Sequence, residues 1–381
     1  MYYINTMSAV KMHSVIPENA KNGYTEYNLL DFVCSFPSRK MLTNSCRLSF
    51  DVRVLQNNVN LDSEDIKFSS SVGGHNFIEG INTQLQSAGQ IESLHSYARQ
   101  VQMIAGATKD INDYNNAMMA TELRSSDDIY SAIQLRGEKI KQRVDNSVIN
   151  LDNSVSLKPM FCLNRATSAD GSGDLGISYA KSGNVRITFQ LARFYNALYG
   201  ADVDANTSYV IKNPRFEFLS VADDGIKNAL TMRVSHSIKQ LVNSSLSNLG
   251  LKAPVIATAC SVSFIQQSRQ SQPQYDDTAC EQLPNISRLD FNWNNSTNQG
   301  VTYTIRDNVE IAQRYLDSLK SFGANSASLP VVSANKNAGV GVLFGEPIDL
   351  SKTILNVGIT SDVNSSRPYT ANFYFSGIIT I

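Results

Sequence analysis

Apolar and polar side chains alternate along much of this chain, and the alternation predicts short β-strands. In residues 45–55 the apolar side chains occupy every second position, at Leu48, Phe50, Val52 and Val54. A period of two places these side chains on one face of a strand and the polar ones on the other. One buried face and one wet face are typical of antiparallel sheets.

The same alternation predicts strands throughout the sequence. In the first half they cover residues 9–16, 29–34, 156–163, 185–191 and 209–221. In the second half they cover residues 232–238, 256–264, 289–293, 301–305, 342–344, 353–359 and 370–381, so the sequence is expected to end inside a sheet. Many short strands separated by polar loops are typical of sandwiches and jelly rolls.

The stretch from Phe77 to Gly106 combines two periodicities. Residues 81–86 alternate as a strand does, and Gly89 suits a turn. Next comes a short helix, predicted from Tyr97, Val101 and Ile104 at helical spacing and from Gly106 as a stop signal. We interpret Glu92 as a polar group at the helix entry, where the helix macrodipole favours an acid.

Two more helical segments are predicted. In residues 107–150, one helical face is shared by Ile129, Ile133, Ile140 and Val144, so we expect a helical insertion there. In residues 307–322, Asp307 is a plausible N-cap with Glu310 three residues later, and Gly323 follows an apolar stripe.

A length of 381 residues exceeds the usual size of one hydrophobic core and favours two domains. The strand pattern restarts after the turn residues 222–225. We therefore expect a first jelly roll in residues 1–221, with the helical insertion near 107–150, and a second in residues 226–381.

Composition excludes several functional classes. A net charge of −1 argues against a basic nucleic-acid binder. The five cysteines are scattered with no C-x-x-C pair, so a disulfide framework is not expected and a reducing compartment is favoured during folding. The first residues lack the pattern of a signal peptide, and the longest weakly polar run, residues 254–265, is too short and polar to span a bilayer.

Motifs that would carry chemistry are weak. Gly171, Gly173 and Gly176 match G-x-G-x-x-G, but a polar loop flanks them where a dinucleotide site needs a strand and a helix. Asp202 and Asp204 begin a stretch like a calcium loop that lacks the required later Gly and Glu. These residues are better explained by surface turns.

The histidines and the tryptophan also favour structural roles. His13, His75, His95 and His236 show no metal-ligand spacing, and His236 lies on an apolar strand face, where a hydrogen-bonded core histidine is expected. Trp293 falls in a strand pattern typical of core packing. The sequence therefore predicts no catalytic, cofactor or metal site.

Several segments resemble double jelly-roll major capsid proteins of the adenovirus-type viral lineage. The matching residues in the first segment are Ile81, Leu85, Gly89, Ile91, Glu92 and Tyr97. Residues 185–221 are similar to the end of the first jelly roll, and residues 355–381 to the closing strands of the second barrel. The resemblance covers most of the chain in order.

The resemblance implies an all-β fold of two consecutive eight-stranded jelly-roll barrels with short helices in the loops, with Tyr97 packed between barrel and helix. It implies a non-enzymatic capsid protein without cofactors, made in the host cytoplasm and located in the virion. Such proteins form pseudo-hexagonal homotrimers that tile an icosahedral shell, often over an internal membrane. The expected partners are other trimers, penton proteins and minor capsid proteins. Sequence-specific binding of nucleic acid is not expected.

Two alternatives stay open. A minor capsid or vertex protein would differ from the main tile in its copy number per particle. A two-domain jelly-roll glycan-binding protein or hydrolase would need acidic side chains gathered in a cleft. The first candidates for that cleft are Asp202, Asp204 and Glu217.

Overall fold

The computed structural model describes residues 10–60, 66–69, 72–108, 143–145, 148–150, 153–168, 175–225, 230–268, 284–293, 300–304, 315–322 and 339–381. Strands dominate these residues. In the first half they are β1 (Lys11–Val15), β2 (Leu29–Cys34), β3 (Arg39–Leu42), β4 (Arg47–Gln56), β5 (Val59–Asn60), β6 (Lys67–Phe68), β7 (Ile78–Leu85), β8 (Gly89–His95), β9 (Arg143–Asp145), β10 (Val148–Asn150), β11 (Asn153–Leu157), β12 (Ala166–Ser168), β13 (Gly176–Ser178), β14 (Val185–Leu191), β15 (Leu198–Tyr199) and β16 (Thr207–Ala222).

The second half contributes the remaining strands, and short helices lie in the loops. The strands are β17 (Leu230–Val242), β18 (Leu246–Leu251), β19 (Ile256–Gln266), β20 (Ile286–Trp293), β21 (Gly300–Thr304), β22 (Val340–Asp349), β23 (Leu355–Ser361) and β24 (Tyr369–Thr380). In the described residues the α-helices are α1 (Tyr97–Thr108), α2 (Tyr179–Ser182), α3 (Phe194–Ala197) and α4 (residues 315–320), and 3₁₀ turns cover Gly74–Phe77 and Cys162–Asn164.

In the described residues, a nine-stranded sheet contains strands from both halves of the chain. Its order is β2-β14-β7-β8-β17-β24-β19-β22, with β12 paired to β17. The first four strands come from the first half of the chain and the last four from the second. The two blocks meet where Ser93 of β8 pairs in parallel with His236 of β17.

Each block is covered by another sheet. A seven-stranded sheet, β11-β4-β16-β3-β13 with β1 and β5, packs on the first block, where the ring of Phe216 in β16 lies 5.8 Å from Phe32 and 6.2 Å from Phe189. A four-stranded sheet, β18-β23-β20-β21, packs on the second block, where Trp293 meets Phe344 edge to face at 5.4 Å. The buried faces of these sandwiches supply the apolar core.

Two helices cover the opposite face of the nine-stranded sheet. Met103 and Ile104 of α1 pack with Tyr315, Leu319 and Phe322 of the α4 region and with Tyr374 of β24, forming a separate buried cluster. Because of this cover, successive residues from Ala371 to Gly377 in β24 are all buried. Strand β24 therefore lacks the alternation of a strand with one wet face.

The predicted all-β class is confirmed: the described residues are mainly strands, with short helices in the loops. Most predicted strands are found within a few residues of their expected bounds, and β2 and β14 match them in full. Residues 315–320 of the helix predicted over 307–322 are helical. Trp293 packs against the core, as expected. The division at residues 222–225 stays a prediction.

Several local predictions are wrong. The segment after Gly89 is strand β8 rather than a direct entry into a helix, and α1 continues through Gly106. Residues 143–145 and 148–150 pair as strands β9 and β10, whereas a helix was expected there. Residues 109–142 of that insertion lie outside the described residues. The strand expected over 156–163 ends at Leu157 and is followed by a 3₁₀ turn at Cys162.

The error at β8 has a physical reason. Ile91, Glu92 and Leu94 are all buried, so apolar residues do not alternate there. A register shift between Thr83 and Gln84 also interrupts the pairing of β7 with β8. A bulge of this kind breaks the period of two on which strand prediction depends.

Candidate functional site

A buried ion pair lies where the two halves of the chain meet. Nη2 of Arg165 is 2.9 Å from Oε1 of Glu92, and the side chains of Arg165 and Glu92 are only 9% and 0% exposed. Two backbone N–H groups also bind the carboxylate: Ser235 N donates to Oε1 of Glu92 at 3.0 Å, and Cys162 N donates to Oε2 at 2.8 Å. Arg165 Nη2 also donates to Ser235 Oγ at 2.7 Å.

This arrangement corrects the interpretation of Glu92 as a group at a helix entry. Glu92 is a strand residue whose carboxylate connects β8, the 3₁₀ turn at Cys162 and strand β17. Burial raises the pKa of Glu92 above its usual value, and the Arg165 guanidinium and the backbone donors oppose that shift. A sequence signal existed, because an acid between the apolar residues Ile91 and Leu94 implies a buried charge that needs a partner. Nothing local identified Arg165 as that partner.

His236 strengthens the same junction. Its side chain is buried, and Nε2 lies 3.1 Å from the carbonyl oxygen of Ile91. Burial lowers the pKa of His236 below its ordinary value. The prediction of a hydrogen-bonded core histidine is confirmed, and its partner belongs to the other half of the chain.

Tyr97 joins α1 to the first sandwich. It is fully buried, its hydroxyl oxygen lies 3.0 Å from Nδ1 of His75, and it accepts a hydrogen bond from Met160 N at 2.9 Å. The packing role expected for Tyr97 between barrel and helix agrees with these contacts.

His13 stacks on Phe218 with 4.6 Å between ring centroids.

The three acidic candidates for a hydrolytic cleft do not form one. Asp202 and Asp204 lie in the exposed turn before β16, where Asp204 Oδ1 accepts a hydrogen bond from Asn206 N at 2.8 Å. Strand β16 begins at Thr207, directly after this turn, and Glu217 lies ten residues farther along the strand. Ten residues of an extended strand span about 33 Å, so Glu217 is far from the two aspartates. Its carboxylate accepts a hydrogen bond from Ser49 Oγ at 3.0 Å. The arrangement offers no paired acid and base.

Other motifs have structural explanations. Gly176 begins β13, and the preceding glycines of G-x-G-x-x-G lie outside the described residues. In the described ranges, no group of three or more His, Cys, Asp or Glu side chains is placed to hold a metal ion. Cys34, Cys46, Cys162 and Cys260 are buried free thiols. Among the helices that the structure describes, none is long and apolar enough to cross a membrane.

An exposed apolar surface lies at the edge of the seven-stranded sheet. Strand β1 pairs with β16 on one side, and no strand is found on its other side among the described residues. Val10, Met12 and Ile16, in and beside β1, are 61%, 61% and 64% exposed. An unpaired apolar edge is suited to contact with another chain.

Comparisons with known proteins agree with this architecture. No protein-family model and no curated protein matches the sequence. Among solved structures, the chain is similar to the Faustovirus major capsid protein, with a TM-score of 0.60 and 9% identity over 100% of this chain and 92% of that one.

The chain is also similar to two further solved structures of capsid proteins. PBCV-1 VP54, fitted into a reconstruction of the virophage Sputnik, matches with a TM-score of 0.56 and 10% identity over 100% of this chain and 97% of that one. The mavirus major capsid protein matches with a TM-score of 0.50 and 11% identity over 97% and 88% of the two chains. The chain therefore has the double jelly-roll fold of viral major capsid proteins.

Proposed function

We propose that this chain is a viral major capsid protein, located in the virion and made in the host cytoplasm. The observation that carries the proposal is the match of the double jelly-roll fold over 100% of the chain to the Faustovirus major capsid protein. The role is structural, and the protein is not an enzyme. The separation of Asp202 and Asp204 from Glu217 supports this choice over a hydrolase.

The subunit geometry suits a pseudo-hexagonal trimer. We take residues 1–221 and 226–381 as the two barrels, so that three subunits place six similar barrels around one axis. Such an outline requires a constant angle between the barrels of one subunit. The continuous sheet and the buried pair Glu92–Arg165 supply that rigidity, since both bridge the junction. In a closed trimer, every subunit buries the same contact surfaces against its neighbours.

Contacts between subunits and between trimers are the second part of the proposal. The exposed side chains Val10, Met12 and Ile16 on and beside the edge strand β1 are suited to bury apolar area against a neighbour. A net charge of −1 agrees with a coat that touches its neighbours and does not condense nucleic acid. Penton and minor capsid proteins are the other proposed partners, in a shell built with or without an internal membrane.

Mass photometry and negative-stain microscopy of the purified protein test the proposal. We expect a species of three times the monomer mass with a hexagonal outline, and larger shells at high concentration. A protein that stays strictly monomeric at high concentration contradicts it. Met12→Asp should reduce assembly while Met12→Leu retains it, because only the first places a charge on the apolar edge.

A further inference from the structure

A concave pocket opens at one end of the nine-stranded sheet. Strands β14, β8 and β17 finish there, β7 begins there, and α1 starts beside them. The cavity has a volume of about 560 Å³ and is lined by residues from both halves of the chain. This volume falls in the range of small-molecule sites, roughly 300–1,000 Å³.

The floor of the pocket is polar. Gln190 and His95, which both line it, lie on either side of Gly80 in register across β14, β7 and β8. A Cβ atom on Gly80 would stand 3.6 Å from both Gln190 Oε1 and His95 Nδ1, and 2.7 Å from the carbonyl oxygen of Leu94. The absence of a side chain at Gly80 therefore leaves room above the sheet between two hydrogen-bonding groups.

The wall of the pocket carries an excess of positive charge. Arg99, Arg193 and Lys239 line it, and among the described lining residues Glu79 is the acidic one, held by Lys239 at 2.5 Å. The Arg193 guanidinium carbon lies 6.0 Å from the ring centroid of Tyr27 and 5.6 Å from that of Tyr195, and within the described ranges no carboxylate pairs with it. Aromatic rings restrict the orientation of an arginine packed against them. An exposed guanidinium held in this way can bind a carboxylate through two parallel hydrogen bonds.

The polar floor adds a second requirement. Gln190 and His95 both line the pocket, and both carry groups that form hydrogen bonds with hydroxyl groups. Asn76 also lines the pocket, but its Oδ1 atom is closed to solvent and is not a partner for a ligand. The chemistry therefore favours an occupant with hydroxyl groups as well as an anion.

Tyr27 supplies an apolar surface at the rim. It is 53% exposed and faces the Arg193 guanidinium at the mouth of the cavity. We propose that the pocket binds an acidic sugar, a monosaccharide ring that carries a carboxylate, at the end of a glycan. Its carboxylate binds Arg193, its hydroxyl groups bind Gln190 and His95, and one face of its ring packs on Tyr27.

This inference does not depend on assembly, because all the lining residues belong to one subunit. Saturation-transfer NMR and calorimetry with N-acetylneuraminic acid, glucuronic acid, galactose and inorganic phosphate test it. We expect the two acidic sugars to bind, galactose to bind at least tenfold more weakly, and added salt to weaken binding. Equal affinity for galactose, no binding of either acidic sugar, or phosphate binding as tightly as the sugars would overturn the proposal.

Variants locate the binding site. Arg193→Gln should weaken binding of the acidic sugars about 10- to 100-fold, as expected for loss of a charged hydrogen-bonding partner. Tyr27→Ala should weaken binding of both acidic sugars. Arg288→Gln removes an exposed arginine from β20 in the four-stranded sheet and should leave binding unchanged. Circular dichroism confirms that each variant is folded; a folded Arg193→Gln protein with unchanged affinity contradicts the site.

Discussion

Nη2 of Arg165 lies 2.9 Å from Oε1 of Glu92, although 73 residues separate them in the sequence. The carboxylate that receives this guanidinium also accepts a hydrogen bond from Ser235 N, which belongs to the second half of the chain. One buried carboxylate thus connects β8, the segment after the 3₁₀ turn at Cys162 and β17. The two halves of the chain are thus joined by contacts that short-range sequence patterns do not show.

Removing one partner of this pair should strongly destabilise the protein. Arg165→Ala leaves Glu92 charged and buried, and we expect a loss of about 3–5 kcal/mol in the free energy of unfolding. Denaturant titration followed by circular dichroism measures it. The double variant Glu92→Gln with Arg165→Met should lose less than Arg165→Ala alone, because no buried charge remains unpaired.

A surface pair provides the matched control. Arg186 and Asp31 also form an ion pair between strands, but the Arg186 side chain is 49% exposed. Arg186→Ala should cost no more than about 1 kcal/mol. If Arg165→Ala proved as mild as Arg186→Ala, the junction would owe little to the buried pair.

The contribution of His236 to stability should fall as the pH drops below 6.5. Burial lowers the pKa of His236, so below the unfolded-state value of 6.5 the unfolded chain binds a proton that the folded chain resists. The stabilisation is complete above pH 6.5 and is lost as pH falls through the lower folded-state pKa. Desolvation also lowers the pKa values of His13 and His95, which contribute in the same direction.

The contribution of His236 is isolated by substitution. His236→Gln keeps a donor that can reach the carbonyl oxygen of Ile91 but does not titrate. Melting temperatures measured from pH 7.5 to about 5 should therefore decline less steeply for His236→Gln than for the unmodified protein. Parallel profiles would show that His236 does not carry the effect.

Gly89 should resist substitution for a backbone reason. It has φ of +74° in the hairpin between β7 and β8, and apart from its chain neighbours no atom of the described residues lies within 4 Å of the position of an added Cβ. Gly89→Val should reduce stability and trimer yield, with a backbone cost of about 1–2 kcal/mol, whereas Gly89→Asn should lose less because Asn tolerates this conformation. Thermal unfolding compares the two variants.

Gly345 is the control for that experiment. It lies exposed in β22 with equally open space around its Cβ position but without a positive φ. Gly345→Ala should be neutral or slightly stabilising. Similar losses at Gly89 and Gly345 would rule out strain at the turn as the explanation.

The cluster outside the nine-stranded sheet should also contribute to stability. Leu319 is 1% exposed and packs with Ile104 of α1 and Tyr374 of β24. Leu319→Ala should lower the free energy of unfolding by about 2–5 kcal/mol through lost burial and a cavity. Leu316→Ala, at a half-buried neighbouring position, should cost clearly less. Equal effects in denaturant titration would mean that α4 packs differently.

Sequence reasoning was most accurate where burial follows the local period. Strands β2 and β14 match their predicted bounds because buried residues occupy every second position in each of them, and in β14 the positions between are polar. The sandwich class followed from many such strands. The absence of alternation in β8, where Glu92 is buried among apolar residues, hid that strand from the same reasoning.

The sequence by itself therefore determined the all-β class and the position of most strands, because a period of two is a local property of an extended chain. Only the tertiary structure decided how the two blocks of strands form one sheet, which arginine neutralises Glu92, and how Gln190, His95 and Arg193 surround one pocket. These relationships join residues separated by dozens of positions along the chain. They depend on strand order and register across the sheet, which local periodicity does not specify.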